Sequence, residues 1–232
     1  MIGLHTFLGY ELRTRDPGAA QRFYREVLGG EVSLSQLPER AVSRGAPSHW
    51  LGHVDVDDVE DTAGHVVALG GERLGPTREL GGGTSAALRD PLGSVVAVCG
   101  AIGRGPAPVR PEVAWHELHT ADRARALRVY AELFGWAARD TLELGLPAGP
   151  YTTFAWSAGG PAVGGILESA RAPAIHPHWL FYFVVADLER ALASVRAHGG
   201  QALHGPAAHP AGGRAAQCED PQRAAFALLQ RA

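Results

Sequence analysis

An internal duplication constrains this chain more than any other feature, because a sequence written twice must fold into a unit that works twice. Glu11-Leu12, Thr14 and Asp16 return as Glu117-Leu118, Thr120 and Asp122. Phe23-Tyr24 followed by Leu28-Gly29 returns as Val129-Tyr130 and Phe134-Gly135, again 106 residues on. His49-Trp50-Leu51 and Asp58 return as His178-Trp179-Leu180 and Asp187, now 129 residues on. Gly70-Gly71 returns as Gly199-Gly200, and Asp90-Pro91 as Asp220-Pro221. The jump in offset means that the first copy lacks about two dozen residues that the second has. They correspond to the stretch from Thr141 to about Ala170, whose apolar runs broken by Gly and Pro read as a hairpin or more.

Each copy carries the same local signals. Asp16 reads as an N-cap with Pro17 at the first helical position and Gly29 as the stop, and Ala20, Phe23, Tyr24, Val27 and Leu28 trace one helical face. Ala126, Val129, Tyr130, Leu133 and Phe134 trace the matching face in the second copy. A second helix opens at Asp58 with Val59, Ala63 and Val66 inward, and its counterpart opens at Asp187 with Leu188, Leu192 and Val195 inward. A short strand precedes every one of these helices, and several strand-like runs follow it. The class is therefore α+β, with two half-units per copy. The Gly- and Pro-rich stretch between the copies reads as a linker, giving domains at 1–104 and 113–232 joined by 105–112.

The chain of 232 residues is long enough for two cores. A net charge of -3 with no basic cluster argues against nucleic acid as a partner. No apolar run approaches membrane-spanning length and the N-terminus has no secretory pattern, so a cytoplasmic protein is expected. Cys99 and Cys218 are too few for a disulfide framework and read as small buried hydrophobes. Gly81-Gly82-Gly83 reads as a loop before a strand.

Alternation along the strands assigns their faces. Leu118 and Thr120 belong under a helix, while Trp115, Glu117 and His119 share the other face. Trp179, Phe181, Phe183 and Val185 form a wholly apolar face, and Leu180, Tyr182 and Val184 point the opposite way. In the first copy Glu11 and His53 face inward, with Asp55 on the strand of His53. A mixed Trp, Glu, His and Tyr face fits the wall of a partly polar ligand cavity.

With the strand-Asp-helix opening ending Phe-Tyr-x-x-x-Leu-Gly, the Val-Asp-Asp-Val run at 56–59 and the Asp-Pro-x-Gly turn at 90–93, nearly the whole chain resembles the vicinal oxygen chelate superfamily. That superfamily includes glyoxalase I, bleomycin-resistance proteins and extradiol dioxygenases, and the tandem Trp-x-Glu-Leu-x-Thr-x-Asp opening is similar to an actinobacterial subgroup. The resemblance implies two tandem glyoxalase-like domains of βαβββ modules, with concave mixed sheets and helices on the outer face. It also places the family's metal ligands at Gly9 and Trp115, at Leu51 and Leu180, and at Ala97 and Ala227. None of those six side chains can bind a metal.

The reading is a small-molecule binding protein without the standard metal site. It takes a hydrophobic or aromatic compound in a second-copy slot lined by Trp115, Phe154, Trp156, Leu180, Tyr182 and Val184. One alternative is a tailoring or detoxifying enzyme in which Glu117 and His119 perform acid-base chemistry. The other is a dioxygenase or lyase with a displaced divalent metal among the 11 histidines. No cofactor is expected otherwise. The molecule is a monomer or a homodimer, since the duplication already supplies a second copy.

Overall fold

A computed structural model describes residues 4–80, 82–100, 111–145, 147–171 and 175–232. Residues 105–110 of the expected linker and Gly81 of the triple-glycine run lie outside the described residues. The first copy runs β1 (Phe7–Thr14), α1 (Pro17–Leu28), β2 (Ser33–Gln36), α2 (Glu39–Ser43), β3 (His49–Asp55) and α3 (Val59–Ala68). It closes with β4 (Glu72–Arg73), β5 (Arg78–Leu80), β6 (Gly83–Arg89) and β7 (Val95–Gly100). The second runs β8 (Val113–His119), α4 (Arg123–Phe134), β9 (Ala137–Leu142), β10 (Tyr151–Ala155), β11 (Gly164–Leu167) and a single 3-10 turn, Ser169–Arg171. It ends with β12 (His178–Val184), α5 (Leu188–Ala197), β13 (Gln201–Ala208), β14 (Arg214–Glu219) and β15 (Ala225–Gln230).

The four long helices start and stop where the sequence signals put them. Asp16, Asp58, Asp122 and Asp187 each accept a backbone N–H three residues ahead, which satisfies a helix-end donor that would otherwise be orphaned. Gly29 and Gly135 end α1 and α4 in the left-handed region. The repeated Gly-Gly pair has a mechanical reason too. A Cβ on Gly71 would lie 2.5 Å from the Arg89 carbonyl, and one on Gly200 would lie 2.7 Å from the Glu219 carbonyl.

Two open mixed sheets result. The first has the order β2-β1-β3-β7-β6-β4, with β5 also paired to β6. The second has the order β13-β14-β15-β12-β8-β11-β10-β9. The missing residues of the first copy show directly here. In the second copy β10 and β11 stand between β8 and β9, whereas in the first β2 pairs in parallel with β1, Glu11 opposite Ser33 and Arg13 opposite Ser35. The short α2 in this shortened stretch has no helix-period signal and buries no residue.

The described residues group into two compact units, each drawing on both copies. One contains residues from Met1–Gly9, Gly52–Gly105 and Glu117–Trp179, the other residues from Tyr10–Leu51, Pro106–His116 and Leu180–Ala232. In the first unit α3 lies against α4 and the core is a cluster of Phe7, Tyr130, Phe134, Trp136, Phe154 and Trp179. In the second α1 lies against α5, and Phe23, Tyr24, Trp50, Phe183 and Phe226 pack together.

Each core is pinned by the same hydrogen-bonded chain, built across the two copies. Trp179 Nε1 donates to the Tyr130 hydroxyl at 2.9 Å, and that hydroxyl donates to Asp90 Oδ2 at 2.7 Å. Trp50 Nε1 donates to Tyr24 at 3.0 Å, and Tyr24 donates to Asp220 Oδ2 at 3.2 Å. Tryptophan and tyrosine come from one copy and the aspartate from the other copy's Asp-Pro turn. The other oxygen of each aspartate holds its own turn, accepting Leu92 and Ser94 N–H in one case and Gln222 and Ala224 N–H in the other. Burial raises both carboxyls above the usual range, so these bonds offset a desolvation cost. Cys99 and Cys218 are fully buried, and burial pushes both thiols up to about 12.

Candidate functional site

In the first unit, β8 delivers Glu117 and His119, two residues apart and therefore on one face. Both are almost fully buried, 4% and 7% exposed. His119 Nε2 lies 3.0 Å from Glu117 Oε1, and His119 Nδ1 lies 2.6 Å from the Ser169 hydroxyl. With Glu117 ionised, Nε2–H donates to the carboxylate and the Nδ1 lone pair accepts from Ser169. The His178 ring stacks on that of His119, with centroids 4.4 Å apart and planes at 7°. His178 Nδ1–H donates to the His176 carbonyl at 2.8 Å. Burial, and then the neighbouring His119, push the His178 pKa down to about 4, so His178 is neutral at pH 7. The arrangement can hold one proton on a single imidazole, with a buried carboxylate fixing its tautomer and a hydroxyl at its basic nitrogen.

The segment carrying Ser169 is fixed on both sides. Thr120 N–H donates to the Leu167 carbonyl at 3.0 Å and Ala170 N–H to the Thr120 carbonyl at 3.2 Å. Arg123 N–H donates to Glu168 Oε1 at 3.1 Å. Sequence reasoning missed Ser169, which lies some fifty residues from its partner. The stacking of His178 on His119 also has no local signal, since the two residues lie on different strands.

In the second unit Trp115 is buried edge-on to the His209 ring at 5.6 Å, and Tyr182 is tilted against the same ring at 4.5 Å. Gln217 Nε2 donates to the Tyr182 hydroxyl at 3.3 Å. The imidazole of His209, from the turn after β13, therefore occupies the position between two of the predicted slot residues. Leu180 is buried and Val184 half-buried, its N–H donating to the Glu112 carbonyl at 2.8 Å.

Phe154 and Trp156 depart from the expected slot. Phe154 stacks on Trp136 at 5.2 Å and meets Trp179 at 6.0 Å, while Trp156 contacts Trp136, Phe154 and Phe7. Both rings belong with Trp179, which the sequence itself assigns to the apolar core face. The physical reason is that β10 is buried on both faces, so no polar alternation marks which way Phe154 points.

The first copy's counterpart is charged differently. At the positions of Glu117, His119 and His178 it carries Glu11, Arg13 and His49. Arg13 Nε lies 3.8 Å from Glu11 Oε1, the Ser35 hydroxyl donates to Glu11 directly, and His49 Nδ1–H donates to the Pro47 carbonyl at 2.9 Å. His53, in the other unit, pairs with Ser85 at 3.3 Å.

The donor set does not fit the family's metal. Gly9, Leu51, Ala97, Trp115, Leu180 and Ala227 offer no ligand atom, and Ala227 stands opposite Tyr182 in the strand register. Among the described residues no three His, Cys, Asp or Glu side chains are grouped to hold an ion. His119 and His178 are stacked, and parallel stacked imidazoles aim their in-plane lone pairs along parallel planes, not at one point.

The fold and the paired modules define the class: the chain belongs to the Glyoxalase/Bleomycin resistance protein/Dioxygenase superfamily, whose sequence profile matches residues 113–228, and a Glyoxalase-like domain profile matches residues 10–99. Among its relatives, "Putative glyoxylase CFP32" of Mycobacterium tuberculosis (strain CDC 1551 / Oshkosh) is 30% identical, covering 95% of this chain and 92% of that protein. "Anthracycline biosynthesis protein DnrV" of Streptomyces peucetius is 31% identical over 80% of this chain and 67% of its own length. The 2,3-dioxygenase LapB from Pseudomonas sp. KL28 shares the fold with a TM-score of 0.62 at 13% identity, covering 96% of this chain and 90% of that one.

Proposed function

We propose that this chain binds a hydrophobic, planar small molecule and moves a proton on it through the Glu117–His119 pair, with no step routed through a divalent metal. The observation that carries the reading is the buried carboxylate–imidazole hydrogen bond of 3.0 Å. A carboxylate that fixes the tautomer and orientation of a histidine makes it a general base at one nitrogen and a general acid once protonated. His178 stays neutral at pH 7, and His119 is the imidazole that contacts the carboxylate. Similarity to an anthracycline biosynthesis protein supports a polycyclic aromatic ligand.

The test is a fluorescence titration with a hydroxylated anthraquinone, followed by mass spectrometry of solvent-deuterium uptake or product. Wild-type protein should bind and turn over. Glu117→Gln should leave binding intact and abolish turnover. Unchanged turnover in Glu117→Gln would remove the acid-base reading.

A further inference from the structure

We infer that Ser169, His119 and Glu117 form a hydrolytic triad, giving the protein a Ser169-dependent acyl-transfer activity on small esters, lactones or thioesters. The inference rests on the Glu117–His119 pair proposed above and adds a covalent nucleophile to it. Its basis is geometric. A serine hydroxyl lies 2.6 Å from one imidazole nitrogen, and the other nitrogen lies 3.0 Å from a buried carboxylate. Nucleophile, base and orienting acid are thus linked in series, the relation by which such sites are recognised whatever the fold or chain order.

The surroundings suit that role. Leu167, Glu168 and Ala170 are all anchored by hydrogen bonds to Thr120 and Arg123. Ser169 is therefore the residue of this segment whose side chain is aimed at His119. Its hydroxyl is half-buried, where a substrate carbonyl can still reach it, whereas His119 and Glu117 are closed off from bulk water. His178 covers one face of the His119 ring and keeps it from swinging out of line.

The chemistry balances without any added redox partner. As the Ser169 Oγ–carbonyl carbon bond forms, the hydroxyl proton passes to His119 Nδ1 and the carbonyl π pair moves onto oxygen. Collapse of the adduct breaks the bond to the alcohol or thiol, which leaves with the proton from His119. Water then attacks the acyl-serine, giving up a proton to His119. Release of the carboxylic acid returns that proton to Ser169. Glu117 is a positioning residue in this scheme, stabilising the imidazolium without being protonated.

The probes are a fluorophosphonate and 4-nitrophenyl acetate with full-length protein. The expected result is a single fluorophosphonate adduct on the intact protein, mapped to Ser169 by peptide mass spectrometry. Hydrolysis of 4-nitrophenyl acetate should fall at least 100-fold in Ser169→Ala, with unchanged thermal unfolding. Glu117→Gln should lower kcat by about 10²–10⁴-fold while KM holds. Labelling is read on the wild-type protein, so the result stands even if a variant folds poorly. No adduct on wild type, an adduct elsewhere, or wild-type hydrolysis by folded Ser169→Ala would overturn the triad. If any of these came with loss of anthraquinone turnover in Glu117→Gln, only the nucleophile would fall. Retained turnover in Glu117→Gln would remove the acid-base pair as well.

Discussion

Two clusters at equivalent places in the duplicated chain have diverged. In the second copy Glu117 meets the His119 imidazole, whose other ring nitrogen meets Ser169. In the first copy Glu11 meets Arg13, which stays charged at every working pH, and Ser35 bonds the carboxylate with no imidazole between them. Both copies keep the glutamate and the histidine at the start of the third or twelfth strand, His49 or His178, bonded back to the carbonyl two residues earlier. The scaffolding of the site is thus conserved between copies, and one residue decides whether it can relay a proton. Duplication has left one cluster with the parts for chemistry and the other with a fixed ion pair.

That contrast is most sharply tested by making the copies alike. His119→Arg reproduces the first-copy arrangement and should lower hydrolysis or anthraquinone turnover by at least about 10³-fold, the scale of losing a general base with its nucleophile, in a protein that still unfolds near the wild-type temperature. Turnover within threefold of wild type would erase the distinction between the clusters.

The cores should behave oppositely, as equals. Trp50→Ala and Trp179→Ala each remove a buried ring and the donor to a buried tyrosine, and each should cost about 3–5 kcal/mol in urea unfolding. A large cost at one and almost none at the other would break the equivalence. Tyr24→Phe and Tyr130→Phe remove only the central hydroxyl of each chain, leaving an indole N–H and a carboxylate oxygen short of a partner, for about 1–3 kcal/mol each.

The smallest effect is in the pH dependence of stability. His178 has a folded-state pKa pushed down to about 4 from 6.5, so the unfolded chain takes up a proton first as the pH falls. Its contribution is complete above about pH 6.5 and is lost between there and about 4. Burial lowers His49 too, adding in the same direction. Asp90 and Asp220, with raised pKa values, act the other way, their folded forms binding protons more readily as the pH drops towards the carboxylate range. His178→Gln should flatten the loss of unfolding temperature between pH 6.5 and pH 5, and an unchanged slope would show that His178 does not govern it.

How much of this the sequence disclosed follows from the range of the interactions. Asp16, Asp58, Asp122 and Asp187 cap helices within four residues of themselves, and their roles could be read directly. Glu117 and His119 were placed side by side by the two-residue period of a strand. The Trp-Tyr-Asp chains were visible only as repeated letters, because Asp90 reaches Tyr130 in the other copy. Ser169 carries no local signal at all, and its role depends on how β11 is laid beside β8. Phe154 went astray for a related reason: a strand buried on both faces offers no pattern from which to tell them apart.

The exchanged aspartates give the duplication a consequence for its history. Because each Asp-Pro turn closes the other copy's tryptophan and tyrosine, neither half is free to drift in these residues alone. A change at Asp220 is felt around Tyr24, in the copy that carries Arg13 where the other has His119. Each half's tryptophan and tyrosine therefore depend on a turn that the other half supplies.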